Sequence, residues 1–250
     1  MQAMIFAAGL GTRLKPLTDN TPKALVKLGD KPLIEHVIDH FYTEGARRIV
    51  VNVHHFANQV IDYINNNSKT LWPKATFAIS DESDKLLDTG GGLAKALPLF
   101  DPNEPIVVGN ADVICNAPLA ELLNMHKRIH NDATLLTRAR NTNRQLLFDD
   151  MHYLCGWINT TDGKLKGGVK AADVPMYHQQ AFCGIHIIEP SLVETMRDEM
   201  NTDVFGIIDG YLKLCQAKDI MNIELRKEFH WFDVGTTEKL ENAYNFFNKR

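Results

Sequence analysis

The chain has 250 residues, a formal net charge of −4, 44% hydrophobic and 23% charged residues, so it is expected to bury a core without disulfides and not to be a nucleic-acid-binding protein. Its four cysteines (Cys115, Cys155, Cys183 and Cys215) lack C-x-x-C spacing, which argues against a local zinc or dithiol motif and fits thiols in a reducing compartment. With no run of eighteen apolar residues and no leader-like N-terminus, a cytoplasmic protein with no membrane partner is expected.

Met4–Ala8 reads as a buried strand. Ile34, Val37, Ile38 and Phe41 recur at helical spacing, so Pro32–Gly45 reads as an amphipathic helix with proline in its first turn. Arg48–Val53 is a predicted strand and Phe56–Asn66 a helix; Thr76–Ser80 is a strand, and a short helix begins at Leu93. Pro105–Gly109 is the next strand, and Ala117–Ile129 a helix carrying Leu119, Leu122 and Leu123. Alternation of this kind predicts an α/β fold: a mainly parallel, mixed sheet between two helix layers. Further on, Thr134–Ala139, Tyr153–Ile158, Lys164–Lys166 and Phe182–Ile188 suggest a small antiparallel elaboration, with a turn at Thr161-Asp162-Gly163. Helices are expected over Ser191–Met200, Val204–Ala217 and Glu238–Asn248.

The most informative segment is Ala7-Ala8-Gly9-Leu10-Gly11-Thr12-Arg13, directly after the first strand and ten residues ahead of Lys23. Small residues there let backbone N–H groups turn toward an anion, and two cations follow at fixed spacing. A dinucleotide fingerprint wants a third glycine where Leu14 stands, and a Walker A loop wants Gly-Lys-Ser/Thr, which is missing. Asn110-Ala111-Asp112 also ends an apolar strand, so both segments fall on the carboxyl rim where ligands of such sheets bind. A carboxylate there suits Mg²⁺, which takes hard oxygen ligands. Neither His36/His40 nor His126/His130 completes a metal motif, and partly exposed helix positions are expected for them.

The longer string Gly9-Leu10-Gly11-Thr12-Arg13-Leu14-Lys15-Pro16-Leu17-Thr18, continuing to Thr21-Pro22-Lys23-Ala24-Leu25, resembles the signature of the sugar-1-phosphate nucleotidyltransferases. Asp88-Thr89-Gly90-Gly91-Gly92, Gly109-Asn110-Ala111-Asp112, Phe182-Cys183-Gly184-Ile185 and Trp231-Phe232-Asp233-Val234-Gly235-Thr236 fit the same family in order. The resemblance implies a single three-layer α/β/α nucleotidyltransferase domain over 1–250, with a Rossmann-like, glycosyltransferase-A-like fold. Residues 1–132 would form its nucleotide-binding half; residues 133–250 would form the sugar-phosphate half and C-terminal helices. An appended β-helix or acyltransferase domain is not expected.

That resemblance implies a reaction between a nucleoside triphosphate and a sugar 1-phosphate. The attacking phosphate is already largely dianionic at neutral pH, its second pKa being about 6, so positioning and charge neutralisation carry the chemistry. Arg13, Lys23 and Asp112 are the expected catalytic residues. Lys23 is expected near the reacting phosphorus, and Lys15 is a weaker candidate cation. Nucleotide contacts are expected from Ala8, Gly9, Gly11, Thr12, Arg13, Lys23, Ser80, Asp88, Gly90, Gly91 and Asn110; the glycine run at 90–92 would admit the base and ribose. Asp112 and Asp233 are the implied Mg²⁺ ligands. Gly156, Lys170, Cys183 and Gly184 occupy positions resembling the acceptor side, although Val169-Lys170-Ala171 stands where many relatives carry Glu-Lys-Pro. The Asp88–Gly92 segment looks more like that of uridylyltransferases acting on N-acetylmuramate 1-phosphate, in peptidoglycan recycling, than that of guanylyltransferases. A mannose- or heptose-1-phosphate guanylyltransferase, a cytidylyltransferase for an alcohol phosphate and a non-catalytic nucleotide-sugar sensor are the alternatives. A monomer or small homo-oligomer is expected.

Overall fold

The computed structural model describes residues 1–225 and 229–248. In its first half, β1 (Gln2–Phe6), β2 (Lys27–Leu28) and β3 (Lys31–Pro32) precede α1 (Leu33–Thr43). Then come β4 (Arg48–Val53), α2 (Ala57–Leu71), β5 (Thr76–Asp81), α3 (Asp88–Ala96), β6 (Ile106–Asn110), β7 (Val113–Cys115) and α4 (Leu119–Ile129). The second half holds β8 (Ala133–Arg138), β9 (Arg144–Phe148), β10 (Leu154–Asn159), β11 (Leu165–Gly167) and β12 (His178–Ile188). It continues with α5 (Pro190–Glu199), α6 (Ile207–Leu214), β13 (Ile220–Glu224), β14 (Trp231–Asp233) and α7 (Thr237–Asn248).

Among the described residues, ten strands join in one mixed sheet. Its main path runs β11-β10-β9-β12-β6-β1-β4-β5, with β8 on β12 and β13 on β8. Parallel pairing holds β6, β1, β4 and β5 together, while β12 is antiparallel to β6, β8 and β9. The strands of the parallel block are apolar on both sides because both faces are covered. In β1, Ala3 and Ile5 join the core under α1, α2 and α4, and Met4 joins the opposite core under α3, α5 and α6. The same two-residue alternation sends Ile49, Val51 and Val53 of β4 one way and Val50 the other. Phe41 and Trp72 fill the first core, and Leu93, Val193 and Tyr211 the second.

Three features beyond the sequence expectation matter for the site. First, α3 begins at Asp88, so Gly90, Gly91 and Gly92 are helical residues, not a loop leading to Leu93. Second, β12 is eleven residues long and serves three neighbours, with β8 antiparallel to it but parallel to β13. Third, Trp231–Asp233 forms a ribbon with β7, in which Asp233 lies opposite Val113. His126 departs from the expected exposure: it is buried, with Nδ1 at 2.8 Å from Thr134 Oγ1 and Nε2 at 3.1 Å from Glu189. No helix among the described residues is long and apolar enough to cross a membrane.

Candidate active site

The carboxyl end of β1 opens into a cleft of about 490 Å³. That volume is in the usual range for a small-molecule site. Its walls include Ala8, Gly9, Gly11, Thr12, Arg13, Lys23, Asn52, Asp88, Thr89, Val204 and Gly235. The loop is stitched to both neighbours of β1. The Ala7 N–H donates to Asn52 Oδ1 at 2.8 Å, and the Ala111 N–H donates to the Phe6 carbonyl at 3.0 Å. Gly11 adopts φ +66°, where a side chain is strained, and an added Cβ would lie 2.9 Å from Thr18 Cγ2 and 3.0 Å from Lys23 Cβ. Thr18 Oγ1 donates to the Gly11 carbonyl, which closes the turn ahead of Thr12–Leu14.

This turn sends Arg13 across to the C-terminal half. A Cβ built on Gly235 would fall 3.0 Å from Arg13 Nη2 and 2.9 Å from Asp233 Oδ1, so the guanidinium and that carboxylate are neighbours. Lys23 begins a short 3-10 turn after Pro22 and is ion-paired with Asp112. Asp112 follows β6, and its carbonyl accepts the Val234 N–H at 2.8 Å. The two aspartates therefore lie on adjoining backbone segments. Asp233 is held by Lys239 Nζ at 2.6 Å. Four groups far apart in sequence, Arg13, Lys23, Asp112 and Asp233, thus converge at one rim.

Of the other expected contacts, some line the cleft and some do not. Gly90 and Gly91 do not present their backbones to the cleft: both N–H groups donate to the Phe205 carbonyl, at 2.9 and 3.1 Å. An added Cβ at Gly91 would meet the Asp203 carbonyl oxygen at 1.9 Å. The close approach these glycines permit is that of the chain itself. Ser80 is buried at the end of β5. Asp88 is at the cleft with φ +60°, its Oδ1 accepting the Thr89 N–H at 2.6 Å. On the acceptor side, Gly184 (φ +74°) packs so close to Asn110 that a Cβ would lie 2.8 Å from its Nδ2. The Cys183 side chain is fully buried, and burial pushes its thiol up to about 12; it is a core group, not a ligand contact. Gly156 packs under Val169 and the Lys166 carbonyl, and Lys170 is exposed beyond β11. Lys15 is exposed and pairs with Asp19 at 3.4 Å.

Sequence reasoning missed the support behind the loop. Glu82 is fully buried; it accepts Asn52 Nδ2 at 2.7 Å and the Leu87 N–H at 3.0 Å. A continuous relay thus runs from Leu87 through Glu82 and Asn52 to Ala7, and ties the entry of α3 to the glycine loop. Asn52 was findable as a polar residue inside an apolar strand; Glu82 carries no local signal. Lys239 and Lys166 were also missed. Lys166 Nζ lies 2.6 Å from Asp209, which stands beside Gly206 together with Asp88.

A family model described as nucleotidyl transferase matches residues 2–148. The chain belongs to the nucleotidyl transferase family. Within this family it is 44% identical over 113 residues to N-acetylmuramate alpha-1-phosphate uridylyltransferase of Caulobacter vibrioides, a match covering 45% of this chain and 46% of the relative. It is 29% identical over 238 residues to mannose-1-phosphate guanyltransferase of Yarrowia lipolytica, covering 94% of this chain and 61% of the relative. Both matches span less than two thirds of the relative's own length. A solved UDP-glucose pyrophosphorylase complexed with UDP-glucose superposes with a TM-score of 0.78 over 100% of both chains, at 19% identity. This nucleotidyl transferase therefore has the same fold as that enzyme.

Proposed function

We propose that this nucleotidyl transferase joins a nucleoside triphosphate, UTP, to a sugar 1-phosphate, N-acetylmuramate 1-phosphate, releasing pyrophosphate. The observation that carries the reading is the convergence of Arg13, Lys23, Asp112 and Asp233 beside the loop Ala8–Thr12. An oxygen of the sugar phosphate bonds to the α-phosphorus as the bond to the β-phosphate bridging oxygen breaks. Loop N–H groups and Arg13 hold the triphosphate and the departing pyrophosphate, because a planar guanidinium grips two phosphate oxygens at once. Lys23 leaves Asp112 to meet phosphate as the nucleotide enters. Thr89 and Asp88, which line the same cleft, would take the nucleoside end.

Asp112 and Asp233 fit Mg²⁺: two hard-oxygen carboxylates on adjoining segments, each now neutralised by a lysine, is a donor set that suits this ion together with phosphate oxygens. When bound, the ion would neutralise charge shared between the two substrates. The Caulobacter vibrioides relative, by its name, supports the acceptor and base; the Yarrowia lipolytica relative, matched over more of this chain, favours a second reading with GTP and mannose 1-phosphate.

The test is pyrophosphate release with Mg²⁺ across UTP, GTP, CTP and dTTP against N-acetylmuramate, mannose and heptose 1-phosphates. Turnover confined to UTP and N-acetylmuramate 1-phosphate is expected; turnover with GTP and mannose 1-phosphate would replace the substrates and keep the chemistry. Asp112→Ala is expected to lower turnover by roughly 10³-fold or more. If that variant loses nucleotide affinity and the parent shows no turnover at all, the chain is a sensor instead.

A further inference from the structure

Two arginines stand at the acceptor side with no assigned task. Arg138 ends β8, and Arg140 follows it. The Arg140 guanidinium lies 4.5 Å over the Trp231 ring, and that of Arg138 5.5 Å over Phe229. No carboxylate among the described residues forms an ion pair with either. Among the described residues, Arg140 donates one long hydrogen bond, Nη2 to the Phe182 carbonyl at 3.4 Å, and its Nε has no acceptor although it is shielded from water. A buried charged donor without an acceptor is costly and is relieved by a ligand that supplies one.

Their position follows from β14. Phe232 packs on Phe246 and Phe247 of α7, so Trp231 and Asp233 share the opposite face. Trp231 Nε1 donates to the Cys183 carbonyl at 2.8 Å. Arg138 pairs with Ala181 across the β8–β12 ladder and Arg140 reaches the Phe182 carbonyl, so both arginines stand beside the segment that leads into Cys183. Cys183 adjoins Gly184, which packs on Asn110, two residues before Asp112. The pair is thus beside the rim of carboxylates yet outside the walls of the nucleotide cleft.

We infer that Arg140, with Arg138 beside it, recognises a carboxylate carried by the acceptor sugar, which makes the acceptor class an acidic sugar 1-phosphate. The phosphates already have Arg13 and Lys23, and Lys239 is taken up by Asp233; a further cation beyond Asp233 is suited to a second anionic group. Stacking on Trp231 holds the guanidinium plane in place, so little freedom is lost when a carboxylate docks along its edge. A neutral sugar leaves those donors unmatched, and this is how a polar site rejects an analogue lacking the group. The inference rests on the acceptor reading proposed above.

A matched pair of acceptors isolates it. N-acetylmuramate 1-phosphate differs from N-acetylglucosamine 1-phosphate only in the lactyl ether on O3, which carries the carboxylate. kcat/KM for both is measured with UTP on the full chain and on Arg140→Met, Arg140→Lys and Arg138→Met, each checked for folding by thermal melting. The full chain is expected to favour the acidic sugar by on the order of 10²-fold. Arg140→Met should remove most of that ratio, chiefly through KM of the acidic sugar; Arg138→Met should remove part of it, and Arg140→Lys should retain more than Arg140→Met. Equal losses with both acceptors would mean that Arg140 holds the shared phosphate or only the fold, and would overturn the inference. A preference for N-acetylmuramate 1-phosphate retained in both methionine variants overturns it while sparing the acceptor reading. Turnover by the full chain only with neutral sugars overturns both.

Discussion

At the scale of single residues, the most unusual group outside the cleft is His186. It is fully buried in β12; among the described residues neither ring nitrogen has a partner, and the nearby Tyr211 hydroxyl also lacks one. The two rings meet edge to face at 5.6 Å. Burial alone pushes the imidazole down to about 3. An unfolded chain takes up that proton near pH 6.5, whereas the folded chain refuses it until near the lowered value. Stability therefore falls as pH drops through this window, by about 1.4 kcal/mol per pH unit from this group. Burial also lowers His40 and His126, and they act in the same direction. His186→Phe keeps the shape and removes two unsatisfied nitrogens, so it is expected to be within about 1 kcal/mol of the parent at neutral pH. At about pH 5 it should be the more stable protein. Urea unfolding at both pH values checks this, and parallel pH dependence in the two proteins would show that His186 carries none of the acid sensitivity.

At the scale of elements, α3 shows where local reading fails. Three consecutive glycines argue for a loop, because glycine is the costliest ordinary residue in a helix interior. The reason for them is tertiary. The chain at 203–205, more than a hundred residues away, crosses so close that Gly91 admits no side chain, and the glycine N–H groups bind the Phe205 carbonyl. Nothing near residue 91 in sequence reports this contact. Gly91→Ala should destabilise the protein by about 3 kcal/mol or force the 203–205 segment away. Gly9, by contrast, faces open space within 4 Å, so Gly9→Ala should change stability by no more than about 0.5 kcal/mol. Denaturant midpoints of the two variants separate the roles. Equal midpoints would mean that the approach to Asp203 is not obligatory.

For the whole molecule, legibility follows the range of the interactions. The parallel block was readable because each strand announces itself locally, as in the alternation of Ala3 and Ile5 against Met4. The second half was less so: one long strand, β12, pairs with three others, and β9 and β13 carry no strong period of their own. In the candidate site, Gly11, Arg13, Lys23, Asp112 and Asp233 were legible because they belong to recognisable strings. The Glu82–Asn52 relay and the arginines over Trp231 and Phe229 were not, since each is assembled only by folding. This architecture predicts an uneven stability. Strand β1 lies between β4 and β6 with both faces covered, whereas β11, among the described residues, is paired with β10 alone at the sheet edge. Amide exchange should be slowest over Ala3–Ile5 and Val50–Val51 and fastest over Leu165–Gly167, because opening an edge ribbon exposes far less apolar surface. Adding UTP with Mg²⁺ should slow exchange at Gly9–Arg13 and at Asp88–Thr89, which line the cleft, and leave the β10–β11 ribbon unaltered. Nucleotide-induced protection reaching β10–β11 equally would show that the two halves respond as one body, and that the cleft does not bind its nucleotide independently of the acceptor side.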